Sequence, residues 1–142
     1  MNENIEMMNF IYQNAQMGQD TLTQLLKIVE NKDFISLLQS QKDEYKTIFD
    51  ECDQMINEMN SEPKGIGKMA EISTYLMINF QTLTDKTPTH IAGMVMQGSV
   101  MGIIDIIRNL KKYKNAKPEI LEMGNSLLKI EERNLDECKK YL

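Results

Sequence analysis

Hydrophobic residues recur at alternating three- and four-residue steps along most of the chain, and this spacing lines one face of an α-helix. No run of alternating β-branched residues, the pattern of a half-buried strand, competes with it. The pattern therefore predicts an all-α protein. Five helices are expected, at about residues 3–30, 34–60 and 66–85, from residue 88 to the lysines at 111–117, and at about 118–142.

Short breaks in the pattern separate these helices. Asn31-Lys32-Asp33 is typical of a tight reversal, in which Asn31 takes a left-handed conformation and Asp33 caps the second helix. Thr87-Pro88 predicts the start of the fourth helix, because the threonine side chain accepts from first-turn N–H groups and proline lacks only a proton that would stay unpaired there. Pro118 marks the start of the fifth helix.

The fourth helix is apolar on nearly every side and is therefore expected to be the most buried. Its apolar tract is interrupted by His90, Gln97, Ser99 and Asp105 and falls short of the ~20 residues of a membrane span, so no membrane association is predicted. The expected core-facing stripe is Met96, Val100, Ile103, Ile107 and Leu110, and Gly93, Gly98 and Gly102 favour close packing of this helix.

One acidic residue falls on the hydrophobic face of the last helix. An ionised carboxylate in an apolar core costs several kcal/mol unless it has a hydrogen-bond or charge partner. The sequence therefore predicts a buried partner for this residue, Glu131. The other positions of the face are Leu121, Gly124, Leu128, Leu135, Cys138 and Leu142.

We take the end of the bundle at the Lys32 reversal as its top. If the third helix is a crossover that returns the chain to this end, helices two and four run parallel. Other polar residues then lie at about the same distance from the top as Glu131. A plain up-down array of five helices is the alternative. At ~1.5 Å per residue, Glu131 lies ~17 Å below the reversal at Lys32. We expect a hydrogen-bonded layer that satisfies Glu131. Its predicted members are Gln19, Gln41, Glu44, Tyr45, Gln97, Glu131 and Asn134.

The two long hairpins, the connecting helix and the run Glu131-Glu132-Arg133-Asn134 together resemble the ferritin-like superfamily, most nearly an uncharacterised bacterial branch of it. The resemblance covers the whole chain and implies a four-helix bundle with an additional crossover helix. Members that bind two iron or two manganese ions supply a glutamate from each of two helices and a Glu-x-x-His pair from each of the other two.

The resemblance also implies which residues occupy the metal positions. Three of the four glutamates are glutamine here and both histidines are replaced, so the implied di-metal site is degenerate. By position, Glu131 with Asn134 and Gln41 with Glu44 match the two pairs, and Gln19 and Gln97 match the single carboxylates.

Composition narrows the function classes. The 142 residues, 42% hydrophobic and 26% charged, fit one domain at 1–142. The net charge of −5 argues against a nucleic-acid-binding protein, which needs an excess of positive charge to bind the phosphate backbone. Two cysteines and no leader segment favour a cytoplasmic location.

The residues most often used in catalysis give no pattern of an active site. His90 is expected at the surface, and Cys52 and Cys138 are expected in the core. No catalytic triad, phosphate loop or Cys-x-x-Cys motif is present.

The sequence therefore predicts a non-catalytic bundle without a cofactor, which acts by associating with itself or with another protein. Two alternatives from other classes stay open. In one, Glu44 and Glu131 hold iron or manganese in a ferritin-like metal-binding protein or oxidoreductase. In the other, the bundle encloses a small apolar molecule among its methionines, of which the chain has twelve.

Overall fold

The computed structural model describes residues 2–59 and 83–142, and these two stretches form a bundle of four helices. The helices are α1 (Glu3–Leu26), α2 (Lys32–Glu58), α3 (Pro88–Lys112) and α4 (Pro118–Cys138), and a 3₁₀ turn, Lys139–Tyr141, follows α4. The all-α class and four of the predicted helices are confirmed. The helix predicted at about residues 66–85 lies outside the described residues, except for residues 83–85, which are not helical.

The helix starts follow local capping chemistry. Thr87 caps α3 as predicted, accepting a hydrogen bond from the His90 N–H at 3.3 Å, with Pro88 in the first turn. The prediction for α2 is wrong in its details. Asn31 is itself the cap, with φ −66° and ψ 120°, and its side chain accepts from the Phe34 N–H at 3.0 Å. Asparagine is among the best N-cap residues, so α2 begins at Lys32, ahead of Asp33.

Contacts between the helix ends establish the directions of the helices. The Tyr141 ring stacks on Phe34 at the start of α2, with centroids 4.5 Å apart, and the Thr89 hydroxyl donates to the Tyr141 carbonyl at 3.1 Å. At the other end, the Lys117 N–H donates to Asn4 Oδ1 at 2.7 Å. Helices α1 and α4 are therefore parallel to each other, as are α2 and α3, and α2 ends at the opposite end of the bundle from the start of α3.

The core lies mainly between α1, α2 and α4. Helix α1 packs most closely on α2, and α3 on α4, while α1 and α3 touch over a smaller area. The looser α1–α3 contact leaves space at this side of the bundle. The largest fully buried apolar side chains are Met7, Met8, Ile11, Leu25, Phe34, Leu38, Ile56, Ile91, Ile106, Ile120 and Leu127.

The prediction that α3 is the most buried helix is wrong. Met101 is 67% exposed, and the predicted core residues Val100 and Ile107 are 42% and 38% exposed. A helix that is apolar on every side has no periodic signal to fix its rotation. The buried positions of α3 are instead Ile91, Ala92, Ser99 and Ile106.

Length and composition also make α3 a candidate membrane span. Its most apolar window has a mean hydropathy of 1.5, and 22% of that window is buried. No other helix in the described stretches meets this criterion. Core helices of soluble proteins meet it too, so the expectation of no membrane association stays a prediction.

Candidate functional site

Glu131 lies inside the bundle, with 5% of its surface exposed. Its carboxylate accepts hydrogen bonds from the hydroxyls of Tyr45 on α2 and Ser99 on α3. Burial raises the pKa of Glu131 to about 7, against the opposing effect of these two hydrogen bonds. The side chain therefore exchanges its proton near neutral pH.

Tyr45 is the main polar neighbour of this carboxyl and is also 5% exposed. Burial, and then the charge of Glu131, raise the pKa of Tyr45 well above its usual 10, so its hydroxyl stays a hydrogen-bond donor. The amide of Asn134 lies beside that hydroxyl, although neither of its polar atoms completes a hydrogen bond of good geometry with a described residue.

Two glycines make room for these side chains. A Cβ atom at Gly18 of α1 would lie 2.7–2.8 Å from atoms of the Tyr45 ring. A Cβ atom at Gly102 of α3 would lie 2.8 Å from Glu131 Oε1 and 3.1 Å from its Cδ. These distances are shorter than van der Waals contact, so both positions need glycine for the present packing.

A cavity of about 280 Å³ opens between α1 and α3, beside Glu131 and Tyr45. Most of its wall is hydrophobic, and the hydroxyls of Tyr45 and Ser99 are the polar groups beside Glu131. The described lining residues are Asn14, Met17, Gly18, Thr21, Leu22 and Leu25 from α1, Gln41 and Tyr45 from α2, Met94, Val95, Gly98, Ser99, Met101, Gly102 and Asp105 from α3, and Glu131 from α4.

Part of the predicted polar layer comes together around Glu131. Tyr45 bonds to it directly, and Asn134, 1% exposed, lies beside Tyr45. Gln41 is also 1% exposed, lines the cavity, and donates from Nε2 to Cys138 Sγ at 3.7 Å. Uncharged groups of α2, α3 and α4 thus surround the buried carboxyl.

The other predicted members lie elsewhere. Gln97 is exposed, because two residues of helix correspond to a rotation of about 200° and α3 turns Ser99 inward instead. Gln19 Nε2 donates weakly within α1, to the Ala15 carbonyl at 3.5 Å. Glu44 Oε2 lies 2.6 Å from Arg133 Nη2 in an ion pair near the surface.

The metal hypothesis rests on Glu44 and Glu131, which have different partners here. The positive charge of Arg133 balances Glu44, whereas hydroxyls surround Glu131. Within residues 2–59 and 83–142, no three or more His, Cys, Asp or Glu side chains are grouped as metal ligands. Binding of iron or manganese by this pair stays a prediction.

The histidine and cysteines lie outside the site. His90 is exposed, with Nδ1 3.9 Å from Asp85 Oδ2. Cys52 is buried and its thiol donates to the Met8 carbonyl at 3.2 Å. Burial raises the pKa of Cys52 to about 12, so it carries no thiolate at neutral pH.

Sequence reasoning did not assign Gly18, Gly98, Ser99 and Gly102 to the site. The run Gly98-Ser99-x-x-Gly102 could have indicated this side of α3, because small residues at this spacing share one side of a helix.

Comparison of the chain with protein-family models, with curated proteins and with solved structures found no match. The function is therefore inferred from the cavity and its side chains.

Proposed function

We propose that this protein binds a small, mainly apolar molecule in the cavity between α1 and α3. The volume of about 280 Å³ supports the proposal. It is close to the lower end of the roughly 300–1,000 Å³ typical of ligand pockets, and larger than the cavity of about 150 Å³ that binds benzene. Hydrophobic walls with a few convergent polar groups are characteristic of such pockets.

The lining favours binding over catalysis. Met17, Leu22, Leu25 and Met94 offer apolar contact surface, and methionine adapts to irregular shapes. Glu131 can exchange a proton near neutral pH, but the described lining residues include no cysteine, histidine or lysine to act beside it as a nucleophile or second base. The carboxyl of Glu131 and the hydroxyl groups bonded to it would orient a polar group of the ligand.

A cavity-filling substitution tests this proposal. A Cβ at Gly98 meets no atom within 4 Å, so Gly98→Leu can extend into the cavity, while Gly98→Ala leaves most of it open. With 2-phenylethanol and indole as probes, we expect NMR shift changes in the wild-type protein that saturate at a dissociation constant of about 1 mM or lower.

The two variants should then differ. Gly98→Leu is expected to weaken binding of both probes about 10-fold or more, equivalent to about 1.4 kcal/mol, whereas Gly98→Ala keeps the wild-type affinity. Equal affinity in all three proteins would place the binding elsewhere. An absence of saturable shifts in the wild-type protein would also contradict the proposal.

Self-association through α3 is a second candidate function, favoured by the exposed stripe Val100, Met101, Ile104 and Ile107. A contiguous apolar surface of this kind marks interaction sites. Asp105 and Arg108 are exposed beside it on the Met101 side, three residues apart and opposite in charge, so an antiparallel pair of α3 helices from two copies can bring unlike charges together. A second copy of the chain is therefore the proposed occupant.

Light scattering after size-exclusion chromatography tests the second candidate. We expect a dimer for the wild-type protein and a monomer for Val100→Glu, because no basic residue lies three or four positions away on α3 and a buried unpaired carboxylate opposes association. Ser40→Glu, on the exposed side of α2, adds the same charge and should stay dimeric. A wild-type monomer at every concentration would refute the dimer.

The helix directions support a ferritin-like bundle as the finer architecture. In that fold one long crossover joins the second and third bundle helices, which run parallel. Here α2 and α3 are parallel, and α2 ends at the opposite end from the start of α3. On this proposal the metal centre is degenerate, with Gln41, Glu131 and Asn134 retained in the interior and Glu44 paired with Arg133.

A further inference from the structure

The charges of the cavity between α1 and α3 are of one sign. Its described lining includes two acidic residues, Asp105 and Glu131, and no lysine, arginine or histidine. Asp105 is exposed and so lies toward the mouth, whereas Glu131 is 5% exposed and lies within. An anionic cavity with apolar walls is complementary to a molecule that is both apolar and cationic.

We infer that the ligand carries a protonated amine that pairs with the Glu131 carboxylate, while its apolar body packs on the methionines and leucines of the wall. This inference rests on the binding function proposed above and names the chemical class of its ligand. The volume of about 280 Å³ limits that body to a compact one, of one or two small rings or a short aliphatic chain.

The surroundings of Glu131 explain why an amine is preferred over a neutral group. Tyr45 and Ser99 donate hydrogen bonds to the carboxylate, but no cation among the described lining residues balances its charge. An ammonium group supplies that charge together with N–H donors, and such charge-assisted hydrogen bonds are about twice as strong as neutral ones. A ligand carboxylate would instead bring two like charges together at low dielectric.

Binding of an amine is coupled to the protonation of Glu131. The titratable groups that line the cavity with Glu131 are Tyr45 from α2 and Asp105 from α3, and α1 contributes only uncharged residues to the described wall. The pKa of Glu131 is about 7, so only the ionised fraction at a given pH pairs with the ammonium group. Affinity should therefore rise about 10-fold between pH 6 and pH 8, as that fraction rises from about one tenth to nine tenths.

A matched set of probes tests the inference by isothermal titration calorimetry at pH 8. The probes are 2-phenylethylamine, 2-phenylethanol and 3-phenylpropanoate, which present a cation, a neutral hydroxyl and an anion on similar apolar bodies. The amine should bind about 10- to 100-fold more tightly than the alcohol, and the anion most weakly. In Glu131→Gln the affinity for the amine should fall to within a few-fold of that for the alcohol, because the glutamine amide carries no charge to pair with the ammonium group.

The outcomes separate this inference from the proposed function. If the amine and the alcohol bind the wild-type protein equally, the amine inference fails and the binding function stands. If none of the three probes binds, both fail. If the preference for the amine survives in Glu131→Gln and disappears in Asp105→Asn, the assigned pairing with Glu131 is wrong. Gly98→Leu should lower the affinities for the amine and the alcohol by the same factor, which would show that both bind in the cavity.

Discussion

At pH 8 the Glu131→Gln variant is expected to be more stable than the wild-type protein by up to about 3 kcal/mol in the free energy of unfolding. Burial raises the pKa of Glu131 from 4.5 to about 7, so the folded protein holds this proton more tightly than the unfolded chain does. The stabilisation is complete below about pH 4.5 and is lost as the pH rises to 7. Glutamine stays uncharged throughout and avoids that loss.

Urea unfolding at pH 5 and pH 8 measures this effect. The difference in the free energy of unfolding between Glu131→Gln and the wild-type protein should be small at pH 5 and grow toward pH 8. Glu132→Gln is the matched control, because its side chain is exposed and the same substitution there should change stability by less than about 0.5 kcal/mol. A Glu131→Gln variant that is less stable than the wild-type protein at pH 8 would mean that the carboxylate has a compensating charge.

Substitution of Gly18 by alanine is expected to destabilise the protein by about 1–3 kcal/mol, although alanine favours a helix. The added Cβ would lie 2.7–2.8 Å from atoms of the buried Tyr45 ring, and this rigid ring has to shift to accommodate it. The same substitution at Gly98 should stabilise the protein by about 0.5–1 kcal/mol, since nothing lies within 4 Å of its Cβ and only the helix preference acts.

Thermal and urea unfolding of the two alanine variants provide the comparison. Both positions are glycines within helices, so the difference between the variants isolates the close approach of Tyr45 to α1. Gly102→Ala should cost less than Gly18→Ala, because its Cβ would meet Glu131 Oε1 at 2.8 Å, and this end of a flexible side chain can move away more easily than the Tyr45 ring. If Gly18→Ala gained as much stability as Gly98→Ala, Tyr45 would not occupy the position described.

Much of the fold follows from local signals in the sequence. Thr87-Pro88 and Pro118 mark the starts of α3 and α4, because capping and the fixed φ of proline act within one turn of a helix. The buried Glu131 was also predicted from the apolar stripe of α4, together with Gly124 and Cys138, but the rest of that stripe is wrong by about one position. Ile120, Met123 and Leu127 are buried, whereas Leu121, Leu128 and Leu135 are half-buried and Leu142 is 61% exposed.

The rotation of α3 was not predictable in this way. Its apolar residues surround the helix, so the pattern did not distinguish Gln97, which is exposed, from Ser99, which bonds to Glu131. Tertiary contacts decide the orientation, because the small residues Ser99 and Gly102 let the carboxyl of Glu131 approach α3. The cavity depends on the spacing of α1 and α3, which no local sequence signal specifies.

Methyl NMR of the protein labelled with ¹³C at its methionine methyl groups tests the central claim, ligand binding between α1 and α3, most directly. On addition of 2-phenylethylamine, the signals of the cavity residues Met17, Met94 and Met101 should shift and saturate together, while those of the core residues Met7 and Met8 stay in place. Saturable shifts confined to methionines away from the cavity, or no shift at any methionine, would contradict the claim.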